Sequence, residues 1–207
     1  MYKKKLYFCK IEKNPVFLFC MKQLLNSILK PLIHKAYPQF KRPEGYMSYI
    51  QVFRRYFIFQ KILGFNRKAP WPVHFTATIY DWQRIKKGIC CDPADNPGIY
   101  INASGGLVFG DDVEIGPNTV ITTVNHYKYD YRKTGFKNGI VIGSHVWIGA
   151  NCSIMAGVTI GDNVTIGAGC AIRQDIPSNT LVTGSSDNLT LTPKRDYEWD
   201  CSDIRFM

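Results

Sequence analysis

An isoleucine recurs at every sixth position along the second half of this 207-residue chain. An α-helix turns once every ~3.6 residues, so a six-residue period cannot stay on one face of a helix. We expect each six-residue unit to be a short extended segment followed by a turn, with successive units stacked around one continuous core. The recurring residues are Ile142, Ile148, Ile154, Ile160, Ile166 and Ile172.

Two further features of the repeat favour a packed β structure. Glycine directly follows four of the six isoleucines, and glycine suits corners at which φ is positive. Four positions after each isoleucine stands a small or β-branched residue, and Cys152 and Cys170 are among these. We interpret both cysteines as small buried side chains. The seven cysteines include no CxxC pair, so neither a disulfide framework nor a zinc site is expected.

The repeat is interrupted between Ile121 and Ile142. Residues 127–141 are predicted to leave it as a loop, and long excursions from a compact repeat are usually functional or disordered. His126 stands at the mouth of this loop and follows an asparagine rather than an apolar residue, which makes it the candidate functional histidine. The other three histidines, His34, His74 and His145, are interpreted as structural.

Two runs of the chain resemble a known family. They are GDDVEIGPNTVITTVNH and VIGSHVWIGANCSIMAGVTIGDNVTIGAGCAIRQDIP. Both are similar to the hexapeptide-repeat acyltransferases, in the branch that contains maltose, galactoside, nodulation-factor and capsule or colanic-acid-type O-acetyltransferases. The resemblance covers roughly residues 98–184. It implies a mainly β fold, a left-handed parallel β-helix with three hexads to each 18-residue coil. On that template the coils are 109–126, 142–159 and 160–177, and residues 79–108 form imperfect early coils.

The resemblance also implies a function and a catalytic base. The chain would be an acetyl-CoA-dependent O-acetyltransferase that acetylates a sugar hydroxyl by direct transfer, in cell-surface polysaccharide biosynthesis. In that family a histidine at the start of the extruded loop is the general base, and His126 occupies its place. An imidazole with a pKa of about 6.5 is suited to accept the hydroxyl proton at neutral pH. The partner that orients His126 stays open between Asp130 and a main-chain carbonyl.

The remaining site residues are carried over from the same family. The amide of Ala150 would stabilise the oxyanion, and Trp147 would line the thioester pocket. Asn102 and Asn125 would bind the acceptor. The coenzyme contacts would come from Gly149, Gly167, Ala168 and Arg173, and no metal is expected. The family's usual arginine is missing near Asn188, where Lys194 and Arg195 are the candidate replacements.

The net charge of +10 is concentrated in one part of the chain. Residues 1–75 hold 15 Lys or Arg against two glutamates, whereas residues 76–207 hold 11 against 14 Asp or Glu. We predict a basic helical segment over 1–75, with helices over 17–35 and 46–63 and with Pro31 kinking or ending the first. Such a segment is a plain solvated surface, a contact to anionic headgroups at the inner membrane face, or a surface whose helices pack against the core of a partner. No recognisable nucleic-acid module accompanies it.

The expected organisation is a helical segment over 1–75, a catalytic β-helix over 76–184 and a tail over 185–207. The N-terminus has no secretion signal, so a cytoplasmic location is expected. By resemblance the protein is a homotrimer with its site between neighbouring subunits. Two other functions stay open, namely N-acetylation of an amino sugar and a non-catalytic scaffold or binding module. An enzyme that acts on carbon dioxide also uses this kind of β-helix, and it binds zinc through three histidines. The repeat region here has only two, His126 and His145, so this function is not favoured.

Overall fold

The computed structural model describes residues 15–43, 46–127, 130–184 and 190–193. It contains a helical N-terminal module, between residues 15 and 75, and a coil of short strands that follows it. The core of the coil and the core of the module are separate clusters of buried side chains. None of the helices in the described residues is long and apolar enough to cross a membrane.

The N-terminal module begins with helix α1, Pro15–Ala36. Pro31 is predicted to kink or to end this helix, and the second alternative is wrong, because α1 continues to Ala36. Proline has no N–H to donate to the carbonyl of Ser27, four residues earlier. Both residues are exposed, so water can serve that carbonyl without a break in the helix.

The second predicted helix begins at Tyr49 rather than Tyr46. It consists of α2, Tyr49–Val52, which runs directly into a π-helical stretch, Phe53–Ile62. Ser48 sets the start, because its hydroxyl accepts the N–H of Gln51 while the Gln51 side chain accepts the N–H of Ser48. The helices enclose a small core of Ile33, Tyr37, Phe40, Tyr49, Val52 and Tyr56.

The coil has three faces, each a sheet of parallel strands contributed by successive turns. Face 1 consists of β1 (Thr78–Tyr80), β3 (Tyr100–Asn102), β6 (Val120–Thr122), β11 (Ser153–Ile154) and β14 (Ala171–Ile172). Face 2 consists of β2 (Ile85–Lys86), β4 (Leu107–Phe109), β9 (Ile140–Ile142) and β12 (Thr159–Ile160). Face 3 consists of β5 (Val113–Ile115), β10 (Val146–Ile148), β13 (Thr165–Ile166), β15 (Thr180–Thr183) and an antiparallel edge strand, β16 (Thr190–Pro193).

The predicted isoleucine ladder is confirmed. Ile121, Ile154 and Ile172 pair in register on face 1, and Ile148 pairs with Ile166 on face 3. Each of these side chains is fully buried. Cys152 and Cys170 are buried as well, as the repeat predicts.

The early coils deviate from the six-residue phase. Ile79 stacks on Ile101, which stacks on Ile121, although Ala103 is the residue in phase with Ile121. Ala103 is buried beyond the end of β3 and takes no place in the ladder. The spacing between Ile101 and Ile121 is therefore not a multiple of six, so this coil contains inserted residues.

Polar residues with positive φ form the corner between faces 2 and 3. They are Asp112, His145, Asn163 and Asn179, with φ of 54°, 57°, 55° and 58°. Nδ1 of His145 lies 3.1 Å from Oδ2 of Asp112 in the preceding coil. This position supports a structural role for His145, since asparagine occupies the equivalent corner of later coils with a similar positive φ.

A buried charge cluster joins the N-terminal module to the coil. Its members are Arg42, Lys87, Asp92, Asp95 and Glu114. Nε of Arg42 lies 2.9 Å from Asp92, and Nζ of Lys87 lies 3.4 Å from the same carboxylate. Burial raises the pKa of Asp95 to about 8, and the negative charge of Glu114 adds to this shift. When Asp95 is neutral, the two cations of the cluster, Arg42 and Lys87, are balanced by two carboxylates, Asp92 and Glu114.

Candidate functional site

A hairpin leaves the coil between faces 1 and 2, in the region of the loop predicted over 127–141. It begins three residues earlier, at Val124, and Ile140 and Val141 belong to the coil rather than to the loop. Its arms are β7 (Val124–Tyr127) and the antiparallel β8 (Asp130–Lys137), and the coil resumes with β9 at Ile140. His126 lies on the first arm, opposite Thr134, with its side chain exposed. Asn125, the residue before it, is exposed too.

The base of the hairpin is fixed by Thr123, which no motif in the sequence singles out. Thr123 is fully buried, and both its N–H and its hydroxyl lie 2.9 Å from the carbonyl oxygen of Asn102. Its own carbonyl accepts the N–H of Asn138 at 3.1 Å, which closes the base from the returning side. Asn102 thus anchors the point where the hairpin departs.

The side chain of Asn102 has a local structural task as well. Its Oδ1 accepts the N–H of Ser104 at 3.1 Å, which is the usual behaviour of asparagine in a turn. The residue is half-buried. Asn102 stands on β3, next to Thr122 of β6, and therefore lies one coil away from the start of the hairpin.

Gly135 on the returning arm packs against the backbone beside His126. A Cβ placed on Gly135 would lie 2.9 Å from the carbonyl oxygen of Asn125 and 3.0 Å from the carbonyl carbon of His126. Such distances are too short for a side chain, so the two arms approach closely because this residue is glycine. The only signal in the sequence is a glycine inside an otherwise aromatic and charged loop.

The corner between faces 3 and 1 carries the predicted oxyanion and coenzyme residues. Gly149 and Gly167 are stacked there, and a Cβ on Gly149 would lie 2.6 Å from the backbone nitrogen of Ala168. Successive coils therefore meet backbone to backbone at this corner. Ala150 is half-buried, and Ala168 is exposed.

Among the described residues, none accepts the amide N–H of Ala150. The neighbouring amides of Gly149 and Asn151 donate to the carbonyls of the coils on either side, at 2.8 and 2.9 Å. Within the described part of the chain, no carbonyl accepts the N–H of Ala150, and the same holds for Ala168. The position one coil earlier is Pro117, which has no N–H at all. The described part of the coil thus leaves this N–H without a hydrogen-bond acceptor.

Trp147 stands on the outer side of face 3, between Glu114 and Thr165 of the adjacent coils. The residue is 51% exposed, whereas tryptophan is highly buried on average. Glu114 is joined to the N-terminal module, because it accepts hydrogen bonds from Arg42 and from the hydroxyl of Tyr46. The module therefore borders the surface on which Trp147 lies.

Within one chain the predicted residues fall at two different corners. Asn102, Asn125, His126 and Arg173 lie at the corner between faces 1 and 2, whereas Gly149, Ala150, Gly167 and Ala168 lie between faces 3 and 1. Face 1 separates the two groups. Cavities of about 330 and 510 Å³ border the N-terminal module and the first coil, and no predicted site residue lines either of them.

Some predictions fall on parts that the structure leaves undescribed. The side chain of Asp130 is one, so the group that orients His126 stays a prediction. Asn188, Lys194 and Arg195 also lie outside the described residues. Among the residues that are described, no three His, Cys, Asp or Glu side chains are grouped to hold a metal ion.

Residues 139–174 match the model of one protein family, the bacterial transferase hexapeptide (six repeats). No curated protein matches the chain. The family match and the three-faced parallel coil together confirm the predicted fold class, a left-handed parallel β-helix of hexapeptide repeats with a helical N-terminal segment.

The chain is also similar to several solved structures. A hexapeptide-repeat acetyltransferase from Vibrio cholerae O1 biovar eltor, complexed with acetyl-CoA, is 30% identical over 58% of this chain and 66% of that one, with a TM-score of 0.46. A maltose O-acetyltransferase from Clostridium difficile 630 is 27% identical over 58% and 64%, with a TM-score of 0.44. A galactoside acetyltransferase in complex with coenzyme A is 24% identical over 60% and 64%, with a TM-score of 0.47. The chain thus spans just under two thirds of the length of each of these proteins.

Proposed function

We propose that this chain, whose residues 139–174 belong to the hexapeptide-repeat family of bacterial transferases, is an acetyl-CoA-dependent O-acetyltransferase that acetylates a sugar hydroxyl. The observation that carries the proposal is the unused amide of Ala150 at the corner between faces 3 and 1. A backbone N–H that the fold does not need, fixed in a rigid coil, is suited to stabilise an oxyanion.

The chemistry is direct transfer with His126 as general base. The acceptor hydroxyl oxygen attacks the thioester carbonyl carbon while His126 takes the hydroxyl proton. The tetrahedral intermediate carries a negative oxygen, which the amide of Ala150 stabilises. The carbon–sulfur bond then breaks, and the coenzyme thiolate leaves with the proton from the imidazolium. Holding both substrates together supplies much of the rate, so no serine or cysteine nucleophile is needed.

The site is proposed to lie between two copies of the chain in a homotrimer. Within one copy, His126 lies at one edge of face 1 and Ala150 lies at the other. Each corner of a single copy therefore has only one of these two proposed catalytic groups. A neighbouring copy that places its corner between faces 3 and 1 beside this hairpin would complete the set. Trp147 and Gly149 would then contact the donor from the second copy, with Gly167, Ala168 and Arg173 serving the coenzyme and Asn102 and Asn125 the acceptor.

We propose cell-surface polysaccharide biosynthesis as the biological setting and the cytoplasm, where acetyl-CoA is made, as the location. The setting rests on the sequence resemblance, and the location rests on where the acetyl donor is made. The acceptor would be a carbohydrate hydroxyl rather than an amine. A glycan that loses O-acetyl groups when the gene is deleted would identify the acceptor and would test the setting directly.

The test is release of coenzyme A from acetyl-CoA, measured with a neutral oligosaccharide, a simple sugar and an amino sugar as acceptors. We expect turnover with a hydroxyl acceptor, and a His126→Ala variant that loses about 10²–10⁴-fold in kcat. The matched control is His145→Asn, because asparagine occupies the equivalent corner at 163 and 179. That variant should keep its activity.

The same assay separates the competing functions. Turnover with the amino sugar alone would replace the proposal by N-acetylation. No release of coenzyme A with any acceptor would favour a scaffold or binding module. Unchanged turnover in His126→Ala would exclude the proposed mechanism.

A further inference from the structure

One side of α1 is apolar and faces solvent. Its side chains are spaced three or four residues apart, so they form one stripe along the helix. They are between 40% and 60% exposed, although they are large and hydrophobic. The opposite side, with Leu29 and Ile33, packs into the core of the module. The stripe consists of Phe17, Met21, Leu24, Leu25, Ile28 and Leu32.

A second exposed apolar patch follows the π-helical stretch. Ile62, Leu63 and Phe65 are 62%, 60% and 49% exposed. The exposed cations Arg67 and Lys68 come directly after them in the chain. The module therefore combines exposed apolar side chains with cations at two places.

The charge of the module is of one sign. Its described residues, 15–43 and 46–75, contain ten Lys or Arg and no Asp or Glu. Residues 1–14 add five lysines and a single glutamate to the sequence. Eight of the ten cations are exposed, namely Lys22, Lys30, Lys35, Lys41, Arg54, Arg55, Arg67 and Lys68.

These features select one kind of partner. A second copy of the chain could cover the apolar stripe, but it would bring an equally cationic surface against the first, and like charges repel. An anionic lipid bilayer takes up apolar side chains at the boundary of its headgroups and attracts lysine and arginine. An α-helix that lies in that plane need not be long or apolar enough to span the membrane.

We propose that the N-terminal module binds the surface of an anionic lipid bilayer, with the stripe of α1 inserted at the headgroup level and exposed cations of the module on the lipid phosphates. The proposal does not depend on the acetyltransferase activity. A protein held in this way would reach acceptors that are themselves attached to lipid.

The test is co-sedimentation of the full chain with vesicles of phosphatidylglycerol and phosphatidylcholine in equal amounts, and with vesicles of phosphatidylcholine alone. At low salt we expect binding to the anionic vesicles that is at least about tenfold stronger than to the neutral ones, and a loss of that difference in about 0.5 M NaCl. The double variant Leu24→Asp, Ile28→Asp should bind at least about tenfold more weakly. Both residues are exposed, and circular dichroism would check that the variant is folded.

A charge variant separates the electrostatic contribution. Lys35 follows Ile28 by seven residues and so lies on the same side of α1. We expect Lys35→Gln to weaken binding about fivefold. The control is Lys86→Gln, which removes an exposed cation from the coil and should leave binding unchanged.

Three results would overturn the proposal. They are no binding to anionic vesicles at low salt, equal binding to both kinds of vesicle, and full binding by the Leu24→Asp, Ile28→Asp variant. Sedimentation velocity would show whether the stripe joins copies of the chain instead. In that case the Leu24→Asp, Ile28→Asp variant would sediment with a lower mass than the wild-type protein, and neither protein would bind vesicles.

Discussion

Arg42 of the N-terminal module donates a hydrogen bond to Glu114, on the outer side of β5. Glu114 is the neighbour of Trp147 in the next coil. One ion pair thus joins the module to the face that carries the predicted thioester pocket. The Arg42 side chain is 2% exposed and also contacts Asp92 and Asp95, so the junction is a buried one.

We expect the Arg42→Met variant to be strongly destabilised. Removal of one partner from a buried ion pair leaves the other charges without compensation and typically costs about 3–5 kcal/mol. Asp92, also 2% exposed, would keep only Lys87. Urea unfolding at neutral pH would measure the change. Arg84→Met, which alters an exposed arginine on the coil, should change the free energy of unfolding by less than about 0.5 kcal/mol. Equal effects in the two variants would contradict the role of the cluster.

The stability of the protein should depend on pH through Asp95. Burial, aided by the charge of Glu114, raises the pKa of this carboxyl from 3.8 to about 8. Between these values the folded protein holds a proton that the unfolded chain has released. The contribution of Asp95 to the free energy of unfolding is therefore fully present below about pH 4 and is lost as the pH rises to about 8.

An Asp95→Asn variant tests this dependence, because an amide resembles the neutral carboxyl and does not titrate. Relative to the wild type, its free energy of unfolding should increase steadily from about pH 5 to about pH 8. Urea unfolding at several pH values in this range would give the two curves. Parallel curves would show that Asp95 is already charged in the folded protein.

Gly149 should not tolerate a side chain. A Cβ on this residue would lie 2.6 Å from the backbone nitrogen of Ala168, and a backbone in a rigid coil cannot move aside cheaply. We expect Gly149→Ala to lower the free energy of unfolding by about 1–3 kcal/mol. The control is Gly169→Asn, where no atom lies within 4 Å and φ is 78°. Asn118 and Asn151 occupy the equivalent position, so this variant should unfold like the wild type.

The sequence predicted the ladder because it repeats locally. Ile142 to Ile172 each recur at a fixed spacing, and a stacked coil is the structure that turns such a spacing into one core. The position of the hairpin was predicted from the same repeat, because the six-residue period is interrupted there. The stacking of Ile101 rather than Ala103 could not be foreseen, because inserted residues shift the phase without leaving a local mark.

The candidate site was predictable only as a set of residues. Their division between two corners depends on the face to which each strand belongs. The six-residue period alone does not show that assignment. The buried charge cluster joins residues from 42 to 114, so it appears only in the folded chain. Thr123 looks like an ordinary polar residue until its two bonds to the carbonyl of Asn102 are seen.

We expect that the N–H of Ala150 can be removed with little disturbance of the coil. Pro117 occupies the same place in the preceding coil and follows Gly116, just as Ala150 follows Gly149. Ala150→Pro should therefore fold and unfold like the wild type, since the deleted N–H has no partner among the described residues.

If this amide stabilises the oxyanion, Ala150→Pro should lose about 10²–10³-fold in kcat for coenzyme A release. Ala150→Gly keeps the N–H and should keep most of the activity, which separates the amide from the methyl group. Thermal unfolding of both variants would show whether the coil is intact. An Ala150→Pro enzyme that is folded and fully active would rule out this amide as the oxyanion donor, whereas a loss confined to that variant would connect the unused N–H directly to the chemistry.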